Sequence, residues 1–197
     1  MARTKTVSDD RVLDVVGVVL LRRGPHAFTL ADVSARVGLS PATLLQRFGT
    51  KEALVRAFAR RAADGPVLDW ARFGPRHPLR ALRRALRAVA SALGGTRGLR
   101  SSIALFAEDV RDPALRRSAR RHATRLESEI VAALRAARTA GELERRAPVG
   151  ALARQLVLVW NGALTAHALG GRGGLAPAVD AALRFALGPY VRRVASR

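Results

Sequence analysis

The stretch GLSPATLLQRFGTKEAL, residues 38–54, places two helix starts ten residues apart. Ser40 is a favoured N-cap, and Pro41 suits the first helical position, where no backbone N–H is required. Thr50 repeats the capping signal. Only about two turns fit between the two caps, with Leu44 and Phe48 facing inward. Gly38 supplies the left-handed residue for the turn before Ser40, and Leu39 plugs the angle. A short helix is held at a fixed angle, and half of it is left exposed.

Upstream, Thr29 and Asp32 have the spacing of a capping box. Leu30, Val33 and Val37 form the inner edge of a helix that Gly38 ends, and small Ser34 lets the next helix approach. An earlier helix begins near Ser8, where Asp9 and Asp10 complement the helix dipole. Its stripe is Val12, Val15, Val16, Val19 and Leu20, and Arg22-Arg23-Gly24-Pro25 stops it. Downstream of Thr50, Leu54, Val55 and Phe58 mark one side of a fourth helix.

Beyond residue 64 the helices lengthen. DGPVLDWARFGPRHP (64–78) is a Gly/Pro-punctuated joint. Residues 78–93 carry Leu79, Leu82, Leu86, Val89 and Leu93 on one stripe, with Arg80, Arg83, Arg84 and Arg87 opposite. GGTRG (94–98) breaks the chain, and a short helix runs to about Asp109. Asp112-Pro113 starts a long helix that ends near Gly141. Two apolar helices follow, at roughly 148–169 and 176–194, joined by the flexible GGRGG (170–174). No run alternates as a strand does, so the class is all-α. The expected organisation is a helix-turn-helix domain over 1–63 and a larger helical domain over 64–197.

The 197 residues carry a net charge of +20, and all but two of the 35 basic residues are arginine. Such a field favours polyanions, nucleic acid first and anionic lipid second. Only +5 of the charge lies in the first 60 residues, so charge alone does not locate a binding face. There is no cysteine, which excludes disulfides and thiolate metal sites and makes a reducing, cytoplasmic compartment the simpler expectation. No stretch has the form of a signal peptide or a membrane span.

Three short helices, the last two joined by a glycine-bearing turn, are the parts of a helix-turn-helix. The second helix of that pair would present Pro41, Ala42, Thr43, Gln46 and Arg47 to a major groove, where glutamine reads adenine and arginine reads guanine. The alternative is a small helical bundle with no DNA role. Catalysis gets little support: His26, His77, His122 and His167 lack metal-ligand spacing, and carboxylates are scarce. No metal or cofactor is expected.

From RVLDVVGVVLLRRG through FTLADVSARVGLSPATLLQRFGTKEALVRAF the chain resembles the TetR/AcrR family of bacterial transcriptional regulators. The register is carried by Thr29, Asp32-Val33-Ser34, Gly38-Leu39-Ser40, Thr43-Leu44, Phe48 and Lys51-Glu52-Ala53-Leu54. The resemblance implies phosphate contacts at Thr29 and Lys51 and places Thr43 at the DNA surface. Where the family commonly has a tyrosine packed on the DNA backbone, this chain has Leu45, which cannot donate that hydrogen bond. Arg47 is a candidate substitute.

The resemblance also implies a homodimer on a double-stranded operator, with a small organic effector in each subunit and no membrane partner. The family's last two helices pair with their symmetry mates, and Val179, Leu183, Leu187, Tyr190 and Val194 are the expected seam here. The long helix carries His122 and Glu129 on the stripe of Leu115, Ala119, Leu126, Ile130 and Ala133. With Phe106, Trp160 and Asn161, the residues His122, Leu126 and Glu129 are candidates for an effector cavity. The alternative is a core histidine and a glutamate reaching solvent. A carboxylate there would suit a cationic or hydroxylated effector. The leading expectation is a repressor released by its ligand; the competing one is a ligand-independent, nonspecific nucleic-acid-binding or architectural protein.

Overall fold

The computed structural model describes residues 7–170 and 173–192. Among these, nine α-helices follow in order: α1 (Asp9–Ala27), α2 (Leu30–Val37), α3 (Pro41–Phe48), α4 (Lys51–Asp64), α5 (Pro78–Ala92), α6 (Gly95–Arg111), α7 (Pro113–Thr139), α8 (Val149–Ala168) and α9 (Leu175–Leu187). Two compact units form. One comprises the chain up to Gly65 with Arg100–Arg121, the other Pro66–Leu99 and the chain from His122 onward. Helices α6 and α7 therefore each contribute to both.

In the first unit the sequence signals become hydrogen bonds. Ser8, Thr29, Ser40 and Thr50 each accept a backbone N–H three residues on, from Arg11, Asp32, Thr43 and Ala53. Thr29 Oγ1 also donates to Asp32 Oδ2 at 2.7 Å, a side-chain bond added to the cap. That bond is the main reason the Asp32 carboxyl lies below its usual range. Gly24 interrupts α1 with φ 76° and ψ 165°, so one further turn follows Pro25 rather than the helix ending there. The core joins Val12, Val16, Val19 and Leu20 of α1 to Phe28, Val33, Leu44 and Leu54. A Cβ at Gly17 would lie 2.8 Å from the Phe58 ring, so this glycine sets how closely α1 and α4 approach.

The same unit contains the corner between α6 and α7. Asp112 caps α7 through the N–H groups of Ala114 and Leu115 and accepts from Arg56 of α4 at 2.9 and 2.7 Å. Its neighbour Asp109 is half-buried, and burial, then the charge of Asp112, pushes its carboxyl up to about 6. A raised folded-state pKa means that ionisation opposes folding. Stability should therefore rise as pH falls from about 6 towards 3.8. Asp109→Asn should flatten that segment of the pH–stability curve and add on the order of 1 kcal/mol at pH 7, after allowance for solvent screening. Thermal melts between pH 4 and 7 test this, and an unchanged pH slope would count against it.

The second unit is organised by α5, α8 and α9, with α9 packed on both of the others. Inward side chains are Ala81, Leu82, Ala85 and Leu86 of α5, Leu152, Ala153 and Leu156 of α8, and Val179, Leu183 and Leu187 of α9. Asp180, only 4% exposed, joins α9 to α5 through Arg87 at 2.8 Å and Arg83 at 3.4 Å. The second apolar helix of the C-terminal pair is shorter than its sequence pattern implies. Gly188 and Pro189 turn it into a 3-10 segment, and Val191 then bridges antiparallel to Leu143. The break expected at GGTRG also differs, because α6 starts within it, at Gly95.

Glu129 of α7 has a structural task. Its carboxylate accepts the backbone N–H groups of Val67, Leu68 and Asp69 at 3.0, 2.6 and 3.3 Å, closing the joint after α4. Glu129→Ala strands three donors and should cost about 2 kcal/mol of stability. Glu129→Gln, which keeps one acceptor oxygen, should cost visibly less in a denaturant titration. Equal stability of wild type and Glu129→Ala would contradict this role.

Candidate nucleic-acid interface

Recognition by a helix requires a rigid segment with one face fully accessible. α3 meets both conditions. Leu44 is buried, Phe48 packs against the core, and Ser40 and Gly49 close the two ends. The exposed face comprises Pro41, Ala42, Leu45 and Gln46, spaced as one side of a helix. Thr43 is half-buried at the edge, its hydroxyl 2.9 Å from that of Ser40. Leu45 is 44% exposed, an apolar side chain in the middle of a polar face. Such a group can pack on a thymine methyl but cannot bond a phosphate.

Arg47 departs from the sequence expectation. Its Nη1 donates to the backbone oxygen of Val7 at 2.6 Å and lies 3.4 Å from Asp9 Oδ1, with the side chain largely covered. It fastens α3 to the start of α1 instead of joining Gln46 on the open face. The physical reason is register: position 47 is one residue past the exposed stripe, turned towards α1. Nor can it take the place of the missing tyrosine without giving up these contacts.

The starts of α2, α3 and α4 each leave amide groups available to an anion. Thr29 and Thr50 are caps there. Lys51, at the first position of α4, stands 5.7 Å from the centroid of the Phe28 ring. That contact orients the ammonium while leaving its charge unpaired by any carboxylate among the described residues. Lys51→Ala should weaken binding to all duplexes alike and lower the salt slope by about one unit. Arg47→Ala should instead lower the melting temperature and leave base preference in place. A changed preference in Arg47→Ala would return it to the reading face.

None of the clefts described is lined by the residues expected around an effector cavity. In the first unit Phe106 is 62% exposed. In the second, Leu126 is core, Glu129 is occupied by the joint, His122 and Trp160 are half-buried and Asn161 is exposed. A cleft of about 660 Å³ lies elsewhere in that unit and uses none of them.

The expected dimer seam is corrected too. Leu183 and Leu187 are 2% and 5% exposed within the single chain, so they are core residues and not a surface. Tyr190 is half-buried, and Val194 lies outside the described residues. Exposed apolar side chains here include Leu158 of α8 at 72% and Phe185 of α9 at 83%, with Leu169 just after α8 at 83%. An isolated Phe opposite the Val179–Leu183–Leu187 stripe was the sequence signal for that second face.

The family model of bacterial regulatory proteins, tetR family, matches residues 18–58, which contain α2, α3 and most of α4. HTH-type transcriptional regulator AlkX of Mycobacterium tuberculosis is 40% identical over 55 residues, 28% of this chain and 26% of that protein. The alignment thus spans about a quarter of the curated relative. Among solved structures, SmeT, the repressor of the Stenotrophomonas maltophilia multidrug efflux pump SmeDEF, is 20% identical with TM-score 0.66, covering 96% of this chain and 93% of its own. A Saccharomonospora viridis putative transcriptional regulator in complex with choline is 21% identical with TM-score 0.71, covering 94% and 98%. These two establish likeness of fold over nearly the whole chain. The matched model and the curated relative are regulators, not enzymes. The capped helix α3, its buried Leu44 and the all-α architecture agree with that match, which joins residues 18–58 to the tetR family of bacterial regulatory proteins.

Proposed function

We propose that the protein is a ligand-responsive transcriptional repressor that binds an operator as a homodimer. The observation that carries this reading is the open face of α3, held by caps and core, with Gln46 exposed and without a hydrogen-bond partner among the described residues. Gln46 reads bases, with Leu45, Ala42 and Pro41 in van der Waals contact. Thr29, Ser40, Thr43 and Lys51 hold the backbone of the DNA on either side. The dimer forms through α8 and α9, where Ala151, Leu158 and Ala166 face outward with Ala181 and Phe185. Burying two such exposed side chains against their symmetry mates removes several hundred Å² of apolar surface from water.

Two identical readers must sit about 34–36 Å apart to enter successive major grooves. A ligand that favours a conformer with another spacing shifts the population off the operator. The pairing of Arg56 with Asp112 supports such linkage, because it fastens α4 to the α6–α7 corner within one compact unit. The experiment is genome-wide recovery of bound fragments, compared with transcripts after deletion of the gene. Bound promoters whose transcripts rise on deletion support repression. Diffuse occupancy with no transcript change would favour the architectural alternative that the charge of +20 suggests.

A further inference from the structure

The cleft of about 660 Å³ in the second unit lies between the start of α5, the end of α7 and α9. Its floor is apolar, formed by Leu79, Leu183, Leu187 and Val191. Arg80, Arg184 and Arg192 stand on its rim, exposed and without an ion-pair partner among the described residues. Arg83 also lines it but is held by Asp180. The acid at the cleft, Glu142, is already engaged. Its Oε2 accepts the N–H of Leu79 at 2.9 Å, and its Oε1 lies 3.5 Å from His77 Nδ1.

One wall is the segment after α9, clamped by three backbone features. Glu144 donates to Tyr190 O at 2.8 Å, Arg192 donates to Glu142 O at 3.0 Å, and Leu143 bridges Val191. The wall is therefore built by the fold and not by loose side chains. The volume lies within the range typical of small-molecule sites.

The chemistry narrows the occupant. Three unpaired guanidinium groups repel a cation. A small inorganic anion would leave the leucine floor wet, and a neutral hydrocarbon would make no use of the rim. We propose that this cleft binds a small amphipathic organic anion, its acidic group between Arg80, Arg184 and Arg192 and its apolar body on Leu79, Leu183 and Leu187. This deepens the repressor reading by naming the effector's chemical class, and it rests on that reading for its consequence at the operator. The consequence runs through α9: Leu183 and Leu187 form the floor, and Phe185 on the same helix faces the proposed partner subunit. An anion that shifts α9 changes the spacing of the two reading helices.

The test is calorimetry on the intact chain with three probes of one chain length: octanoate, octyltrimethylammonium and 1-octanol. Octanoate should saturate at one site per chain and the ammonium should not compete for it. Arg80→Gln combined with Arg192→Gln should weaken octanoate by about tenfold or more. Arg116→Gln combined with Arg117→Gln, outside the cleft, should leave it unchanged. Equal binding of anion and cation overturns the proposal, as does an equal loss in both double variants, which would mean general attraction to a basic protein. Operator titration of the same samples separates the two readings. No octanoate site in a chain that still selects an operator removes the anion site and spares the regulator. A saturable, arginine-dependent site in a chain that selects no DNA supports the site and removes the regulator.

Discussion

Replacing both Leu158 and Phe185 with aspartate is expected to give a folded monomer whose affinity for an inverted-repeat operator is lower by roughly a hundredfold or more. Both side chains are 72% or more exposed in the single chain, so the substitutions leave its core intact. In a symmetric dimer each would bring an unpaired charge into a desolvated seam. The loss at the operator follows from the second half-site, which in a dimer is reached at a high effective concentration. Light scattering should report the single-chain mass, and circular dichroism an unchanged helix content. A dimer that survives both substitutions would place the interface on another surface. Leu183→Asp, by contrast, should unfold the second unit rather than dissociate it, because that side chain lies in the core.

The other large effect concerns Asp180. Burial pushes its carboxyl up, but the hydrogen bonds and charges of Arg83 and Arg87 outweigh that and hold it below its usual range. Removing both arginines by Arg83→Ala with Arg87→Ala takes away both counter-charges and part of the cover over the carboxylate, and should cost about 1–3 kcal/mol at pH 7. Removing the acid by Asp180→Asn should cost less, because the two guanidinium groups are about half exposed and return to water. Since the folded pKa is depressed, the wild-type contribution is present above the ordinary value of 3.8 and is lost as pH falls through the folded one. Denaturant melts at pH 7 and pH 3 decide the order. The double alanine variant should regain part of its deficit at low pH, where Asp180 can be neutral. A larger loss for Asp180→Asn than for the arginine pair would contradict this.

Much of the first unit was legible in the sequence because its determinants are local. Caps at Ser8, Thr29, Ser40 and Thr50 act on amides three residues away, and Gly38 acts on its own φ. Gly24-Pro25 marked a break in α1, although one further turn follows it, and the apolar pattern carried the last helix past Gly188-Pro189, where it ends. What local pattern does not carry is the azimuth of a helix about its own axis. Arg47 and Gln46 are adjacent in sequence, yet one turns to α1 and the other to solvent. Leu183 and Phe185 show the same ambiguity on α9. Both are large and apolar, and only packing against α5 shows which of them is core. Glu129 failed as a ligand candidate because its partners, the amides of 67–69, are some 60 residues away and leave no periodic trace. The arginines of the cleft were hidden by abundance, since 35 basic residues make any single one uninformative until its neighbours are known.

Binding-site selection from random duplexes, with wild type and Gln46→Ala in parallel, decides whether the open face of α3 reads DNA. The wild type should enrich an inverted repeat, its half-sites separated so that both lie on one face of the helix. Gln46→Ala should enrich the same repeat with preference relaxed at one base pair in each half, at about 1–3 kcal/mol of discrimination. No enriched repeat from the wild type, or an identical motif from both proteins, would contradict DNA reading by the open face of α3.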